Sequence, residues 1–124
     1  MKIDLRSDTL TRPSKEMICA MAQAEVGDDA YQEDKHVLEL EEYCADYFGK
    51  PAALFISSGT MSNQVALHSL IDHGDEIICD ASYHLNFFES AQVAELAKGA
   101  LNPITTADGI LTVDIVRDAV NRKA

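Results

Sequence analysis

Hydrophobic residues in the second half of the chain form three short runs, and each run is followed by a segment with helical spacing. Polar and apolar residues do not alternate in these runs, as they would in a strand with one solvent-exposed face. Continuous apolar runs are typical of strands that are covered on both faces. They cover residues 52–57, 76–80 and 100–105. The helical segments that follow cover residues 59–71, 82–98 and 113–122. Strand and helix in alternation predict an α/β fold, with a parallel-rich sheet and helices on its faces.

The first half of the chain predicts two helices separated by an acidic loop. Ser14 and the residues after it open the first helix, which ends before Gly27. Residues 27–34 form the loop. The second helix runs from about His36 to Phe48 with one apolar stripe, and Gly49 is typical of a helix C-cap. We therefore divide the chain into residues 1–35 (extended segment, helix and acidic loop) and residues 36–124 (an α/β domain incomplete at its C-terminus).

Charge and composition exclude several classes of function. Ten basic against 21 acidic residues give a formal net charge of −11, which disfavours binding to nucleic acid phosphates. No apolar run has the length of a signal peptide or a membrane span, so a cytoplasmic protein is expected. The three cysteines form no ligand pair, and the acids of the 27–34 loop lack the alternate spacing of a calcium loop. No metal site is therefore predicted.

The junction between the first run and its helix has the composition of an anion site. Ser58 and Thr60 flank Gly59, where hydroxyls and the free N–H groups of a helix start converge and a glycine lets a ligand approach the backbone. Nucleotide P-loop and dinucleotide-binding patterns are both missing here. A simpler alternative is that the hydroxyls only cap the helix.

A histidine follows the second run, in the same position relative to its strand. Because the carboxyl ends of parallel strands open on one edge of a sheet, His84 is expected near the anion site. There it can cover a ring whose phosphate is held at Gly59 and Thr60, and imidazole titrates near neutrality. The alternative is a histidine that makes only a local hydrogen bond at a helix start.

Four separated blocks of the sequence resemble the threonine aldolases, which are fold-type I pyridoxal-phosphate enzymes of the aspartate-aminotransferase-like group. The blocks occur in the family's order within roughly the first ninety residues. They are Asp4-Leu5-Arg6-Ser7-Asp8-Thr9 with Thr11-Arg12-Pro13, Ala24-Glu25-Val26-Gly27-Asp28-Asp29 with Tyr31, Glu33 and Asp34, Ala52-Ala53-Leu54-Phe55 leading into Ser58-Gly59-Thr60-Met61 and Asn63-Gln64, and Gly74-Asp75-Glu76 with His84.

The resemblance implies a cofactor, pyridoxal 5′-phosphate, and a role for each matching residue. Ser58, Gly59 and Thr60 would hold the cofactor phosphate, and His84 would stack on its ring and act as the catalytic base. Ser7 and Tyr31 would bind the substrate. The reaction implied is cleavage of threonine or allo-threonine into glycine and an aldehyde, in threonine catabolism and glycine biosynthesis. The family also implies a homo-oligomer, a dimer or tetramer, and a fold that is part of the large domain of this group.

Two departures from the family pattern qualify these expectations. Gln32 stands where a glycine is usual, so the acidic loop can bend differently if that position has positive φ. The chain is also less than half the family's length, and we expect it to lack the Schiff-base lysine and to be inactive by itself. An inactive remnant or interaction module, and a β-eliminating lyase acting on an aromatic amino acid, are the alternatives.

Overall fold

The chain divides into two compact units, one ending at Phe55 and the other beginning at Ile56. They are seen in a computed structural model of the protein, which describes residues 3–122. Within that range, no helix combines the length and the hydrophobicity that crossing a bilayer requires.

Two α-helices are the main regular elements of the first unit, and side chains cap both of them. Helix α1 spans Lys15–Gln23, and Ser14 Oγ accepts a hydrogen bond from the N–H of Met17 at 3.2 Å. Helix α2 spans Lys35–Phe48 and ends at Gly49, whose φ of 61° is the left-handed conformation of a glycine C-cap. Both predicted helices are confirmed, because caps and terminators fix helix ends locally.

The acidic loop between these helices is organised by Asp34, the N-cap of α2. One oxygen of Asp34 accepts from the N–H groups of His36 (3.0 Å) and Val37 (3.2 Å). The other accepts from the N–H of Gly27 at 3.2 Å. These hydrogen bonds hold the pKa of the Asp34 carboxyl below its ordinary value, and the bond from the N–H of Gly27 contributes most. A Cβ on Gly27 would collide with the backbone carbonyl of Glu33, so the closed loop requires glycine there.

The apolar stripe of α2 is largely exposed within this unit. Leu40, Tyr47 and Phe48 expose 44%, 71% and 67% of their surface, and Val37 and Cys44 are only half-buried. The first unit contains no buried residue among those described. Caps and backbone hydrogen bonds, rather than burial, therefore define its conformation.

The second unit alternates helices with a short parallel sheet. Its elements are α3 (Gly59–Leu70), β1 (Glu76–Asp80), α4 (His84–Gln92), β2 (Ala100–Ile104) and α5 (Val113–Asn121). A π-helical turn, Val93–Ala97, continues α4 towards β2. The predicted helices and the second and third predicted strands are confirmed to within about two residues at each end, the usual uncertainty of element boundaries.

Strands β1 and β2 pair in parallel, with Glu76 opposite Ala100 and Asp80 opposite Ile104. The core beside them is small. Its buried apolar residues are Cys79, Val93, Ala97 and Ala119. Its buried polar residues are Gln64, Asp80 and Glu89. Polar groups thus make up much of what this unit buries, and they must be hydrogen-bonded to be tolerated there. The α/β fold class is confirmed, as a fragment with a two-stranded sheet.

The strand predicted at residues 52–57 is wrong for this structure. These residues form no ladder with the sheet, and Leu54 and Phe55 are 69% and 51% exposed. A strand needs a neighbour for its backbone groups, and here the N–H of Phe55 donates instead to Glu41 Oε1 on α2, at 2.7 Å.

Gln32 adopts the left-handed conformation, with φ of 58° and ψ of 36°. For a non-glycine residue this conformation costs about 1–2 kcal/mol, whereas the extra freedom of an unfolded glycine costs about 0.5–1 kcal/mol. We expect Gln32→Gly to raise the free energy of unfolding by up to about 1 kcal/mol, measured by urea denaturation. Glu33→Gly, at a neighbouring position without positive φ, is the matched control and should lower it. Equal losses in both variants would contradict the interpretation.

Candidate functional site

The start of α3 presents two backbone N–H groups that have no acceptor among the described residues. Ser58 Oγ caps the helix by accepting from the N–H of Met61 at 3.2 Å, and the N–H of Ser62 bonds the carbonyl of Ser58. The N–H groups of Gly59 and Thr60 remain free. A Cβ at Gly59 would meet nothing within 4 Å. The first turn of this twelve-residue helix is thus open to an anion, which its dipole favours.

His84 is the first residue of α4 and follows the carboxyl end of β1 after a three-residue loop. Its Nδ1 lies 2.7 Å from Glu89 Oε1. Its ring centroid lies 4.8 Å from that of Phe88, with the planes inclined at 40°. The imidazole is therefore held at one edge and contacted on its surface by a second ring. Its side chain is nevertheless 59% exposed.

Glu89 joins α4 to α3 from a buried position. It is only 1% exposed, and its carboxylate accepts from the side-chain amide of Asn63 (2.8 Å to Oε1) and that of Gln64 (2.9 Å to Oε2). We call these four residues, Glu89, Asn63, Gln64 and His84, the Glu89 cluster. Asn63 lies one helical turn after Gly59. Because Asn63 and His84 bond the same oxygen, the histidine lies beside the first turns of α3.

The environment of Glu89 favours its charged form. Burial alone raises the pKa of a carboxyl group. The hydrogen bonds from Asn63, Gln64 and His84 more than offset the burial, and the pKa of Glu89 is below its ordinary value. At neutral pH the cluster therefore contains a buried carboxylate that accepts hydrogen bonds on both oxygens.

A second buried carboxylate, Asp80, shapes the loop that leads to His84. One oxygen accepts from the N–H (2.8 Å) and Oγ (2.5 Å) of Ser82. The other accepts from the N–H (3.0 Å) and Oγ1 (2.7 Å) of Thr106, just after β2. These bonds, led by that from the Ser82 hydroxyl, hold the pKa of Asp80 well below its usual range. Asp80 thereby ties the ends of both strands together at the edge of the sheet from which α4 begins.

An open cleft lies along this edge of the sheet. Asp80, Ser82, Phe87, Phe88 and Thr106 are among the residues that line it. Phe87 and Phe88 are 70% and 65% exposed, so apolar surface lies next to His84. A separate groove between β2 and α5 contains none of the predicted site residues. The described residues contain no group of three metal-binding side chains.

The two predicted substrate-binding residues lie in the first unit. Ser7 is exposed and caps a 3-10 turn at Asp8–Leu10, where its Oγ accepts from the N–H of Thr9 at 3.2 Å. Tyr31 ends a second 3-10 turn at Asp29–Tyr31 and is 76% exposed. The other predicted site residues lie in the second unit: Ser58, Gly59 and Thr60 at the start of α3, and His84 at the start of α4, linked through Glu89 to Asn63 one turn further along α3.

Comparison with known proteins identifies the family of this arrangement. The model of the beta-eliminating lyase family matches residues 4–124. The chain belongs to this family. It is 46% identical to the low specificity L-threonine aldolase of Escherichia coli strain K12 over 92% of its own length and 34% of that protein. It is 40% identical to the low-specificity L-threonine aldolase of Eremothecium gossypii over 92% of its own length and 30% of the relative.

The corresponding enzyme of Saccharomyces cerevisiae is 39% identical, with the same coverage of 92% and 30%. The chain thus spans about a third of the length of these relatives. The resemblance found from the four sequence blocks is confirmed.

Sequence reasoning missed Glu89, and with it the role of Asn63 and Gln64 as its hydrogen-bond donors. The signal was available, since Glu89 precedes Val93 by four residues and Ala97 by eight, and all three are buried. A carboxylate on the apolar stripe of a helix must find hydrogen-bond donors. Asn63 and Gln64, already noted as part of a resembling block, supply them.

The pKa of Asp80 gives a prediction with a definite sign. Because its pKa is lower in the folded chain than the value of about 3.9 in an unfolded one, the stabilisation is present above about pH 4 and lost as the pH falls below that. Asp80→Asn should be less stable than the parent chain at pH 7, and the difference should shrink between about pH 4 and pH 2. Urea denaturation over this pH series measures it. Asp114→Asn, at an exposed ion pair with Arg117, is the control, and a difference constant down to pH 2 would refute the assignment.

Proposed function

We propose that the complete protein is a pyridoxal-phosphate-dependent lyase that cleaves threonine and allo-threonine into glycine and acetaldehyde. This chain is its phosphate-binding portion. The observation that carries the proposal is the shared oxygen of Glu89, which sets His84 beside the first turns of α3. Relatives of this family named as low-specificity L-threonine aldolases support the substrate class.

The start of α3 fits the phosphate of the cofactor. Its free N–H groups at Gly59 and Thr60 match phosphate oxygens, and the open space at Gly59 admits the group against the backbone. Ser58 and Thr60 add hydroxyls at the same point. His84 supplies a flat ring within reach of the same turns, and its exposed side chain leaves room for a second ring against it.

In this reaction His84 accepts the proton of the substrate's β-hydroxyl group as the bond between Cα and Cβ breaks and the aldehyde leaves. When bound, the cofactor supplies the conjugated system that takes up the negative charge left at Cα. Phe88, which contacts the ring of His84, lines the adjacent cleft together with Phe87. Ser7 binds the substrate carboxylate and Tyr31 lines the substrate cavity.

We place the lysine that anchors the cofactor in family sequence outside this chain. Lys15, Lys35, Lys50 and Lys98 are exposed, and Lys35 and Lys98 lie within ion-pair distance of Glu39 and Glu95. Lys2 and Lys123 lie outside the described residues. The 124-residue chain is accordingly inactive by itself, and the complete protein is a homo-oligomer that functions in the cytoplasm.

The activity is tested by aldehyde release from threonine in the complete protein. His84→Gln removes the base and should lower kcat/KM by roughly 10²–10⁴-fold. His68→Gln replaces an exposed histidine in the last turn of α3 and should change it little. Release of an aromatic leaving group from tyrosine or tryptophan without aldehyde from threonine would instead identify a different lyase of this family.

A further inference from the structure

We propose that Glu89 is a positioning residue that holds the proton of neutral His84 on Nδ1 and so presents an unprotonated Nε2 to the ligand. The inference deepens the proposed function, on which the catalytic role of Nε2 rests. The proton position itself is a property of this chain's own side chains.

The donors around Glu89 determine what its oxygens do. Amide NH₂ groups can only donate hydrogen bonds, and those of Asn63 and Gln64 occupy Oε1 and Oε2 respectively. Both oxygens therefore already act as acceptors. A proton on either oxygen would weaken its hydrogen bond from an amide donor, and the pKa of Glu89 lies below its ordinary value. The remaining contact, at 2.7 Å to His84 Nδ1, is therefore made to a carboxylate that accepts.

The amide of Gln64 is held in the orientation that this arrangement requires. Its oxygen, Oε1, is buried and has no hydrogen-bond partner among the described residues, although an unpaired buried acceptor is unfavourable. Turning the amide over would aim this oxygen at the carboxylate of Glu89. The amide therefore keeps its hydrogen bond from Nε2 to Glu89 Oε2 and leaves its own oxygen unpaired. Hydrogen bonds to charged acceptors are stronger than those to neutral ones.

The acceptor at Nδ1 fixes the chemistry of the other nitrogen. A neutral imidazole with its proton on Nδ1 has a lone pair on Nε2. Nε2 has no hydrogen-bond partner among the described residues, and the ring's position is fixed by Glu89 at one edge and by Phe88 against its surface. With the side chain 59% exposed, a basic nitrogen faces outward in a defined direction.

A role in packing alone does not account for a carboxylate at position 89. The same buried stripe of the helix is apolar at Val93 and Ala97, and an apolar residue at 89 would avoid the cost of burying a charge. What the carboxylate adds is an acceptor for His84 that the amides of α3 hold in place. The same amides lie one turn from the free N–H groups of Gly59 and Thr60, so the base and the anion site share one support.

The proton position can be measured without cofactor or turnover. Nitrogen-15 NMR of the chain with labelled histidine distinguishes the two neutral tautomers at a pH above the imidazole titration, and His84→Gln assigns the signals of residue 84. The parent chain should show a protonated Nδ1 and an unprotonated Nε2. A proton on Nε2 in the parent chain would overturn the proposal, and this readout does not depend on any variant folding.

Variants separate positioning from structure. Glu89→Leu removes the acceptor at Nδ1 with an apolar side chain of similar volume and should shift His84 towards the Nε2-protonated form. Gln64→Leu removes one support of Glu89 but keeps the acceptor at Nδ1, so the Nδ1-protonated form should persist. Backbone amide spectra report whether each variant is folded. An unchanged tautomer in folded Glu89→Leu, or its loss in folded Gln64→Leu, contradicts the proposal.

Activity of the complete protein provides an independent readout. Glu89→Leu should lower kcat tenfold or more, as loss of an orienting partner does to other catalytic histidines, with a smaller change in cofactor affinity. If the parent protein releases no aldehyde, the proposed function fails while the tautomer result stands. If the parent is active and Glu89→Leu matches it in kcat, the positioning role fails and the proposed function survives.

Discussion

The candidate site depends on one buried carboxylate. Glu89 lies on α4, accepts hydrogen bonds from two amides on α3, and holds the histidine that begins its own helix. Without it, the two helices would be related by the packing of α3 against α4 and the π-helical turn Val93–Ala97. A buried charge is tolerated because every donor nearby is directed at it. Packing brings the helices together, and the hydrogen bonds to Glu89, which are directional, fix His84 relative to the start of α3.

Much of the fold follows from local rules that a sequence expresses directly. Caps at Ser14, Asp34, Ser58 and Thr112 each accept the expected backbone hydrogen bond, and Gly49 ends α2 in the left-handed conformation. Turn and cap chemistry depends on residues a few positions apart. Helix bounds were consequently predictable, and so were the two strands that pair with each other.

The failures have a common physical cause, which is that they depend on partners far away in the sequence. An apolar run such as residues 52–57 becomes a strand only where another strand lies alongside it, and periodicity does not reveal which neighbour it has. Here Glu41 takes the N–H of Phe55 instead. Likewise, the spacing of Glu89 from Val93 and Ala97 indicates that it is buried, but not that Asn63 and Gln64, about 25 residues earlier, are its donors. The composition of the candidate anion site was visible in the sequence because its parts are adjacent there, whereas the partners of its support are not.

The second unit combines a small apolar core with three buried polar side chains, and this balance suits a site more than it suits stability. Cys79, Val93, Ala97 and Ala119 provide little apolar volume, so hydrogen bonds to Asp80 and Glu89 define where the strand ends and helix starts lie. Asp80 fixes the loop before His84, and Glu89 fixes the ring after it. Each carboxylate is satisfied mainly by neutral donors, so its negative charge is not cancelled by a fixed cation among the described residues.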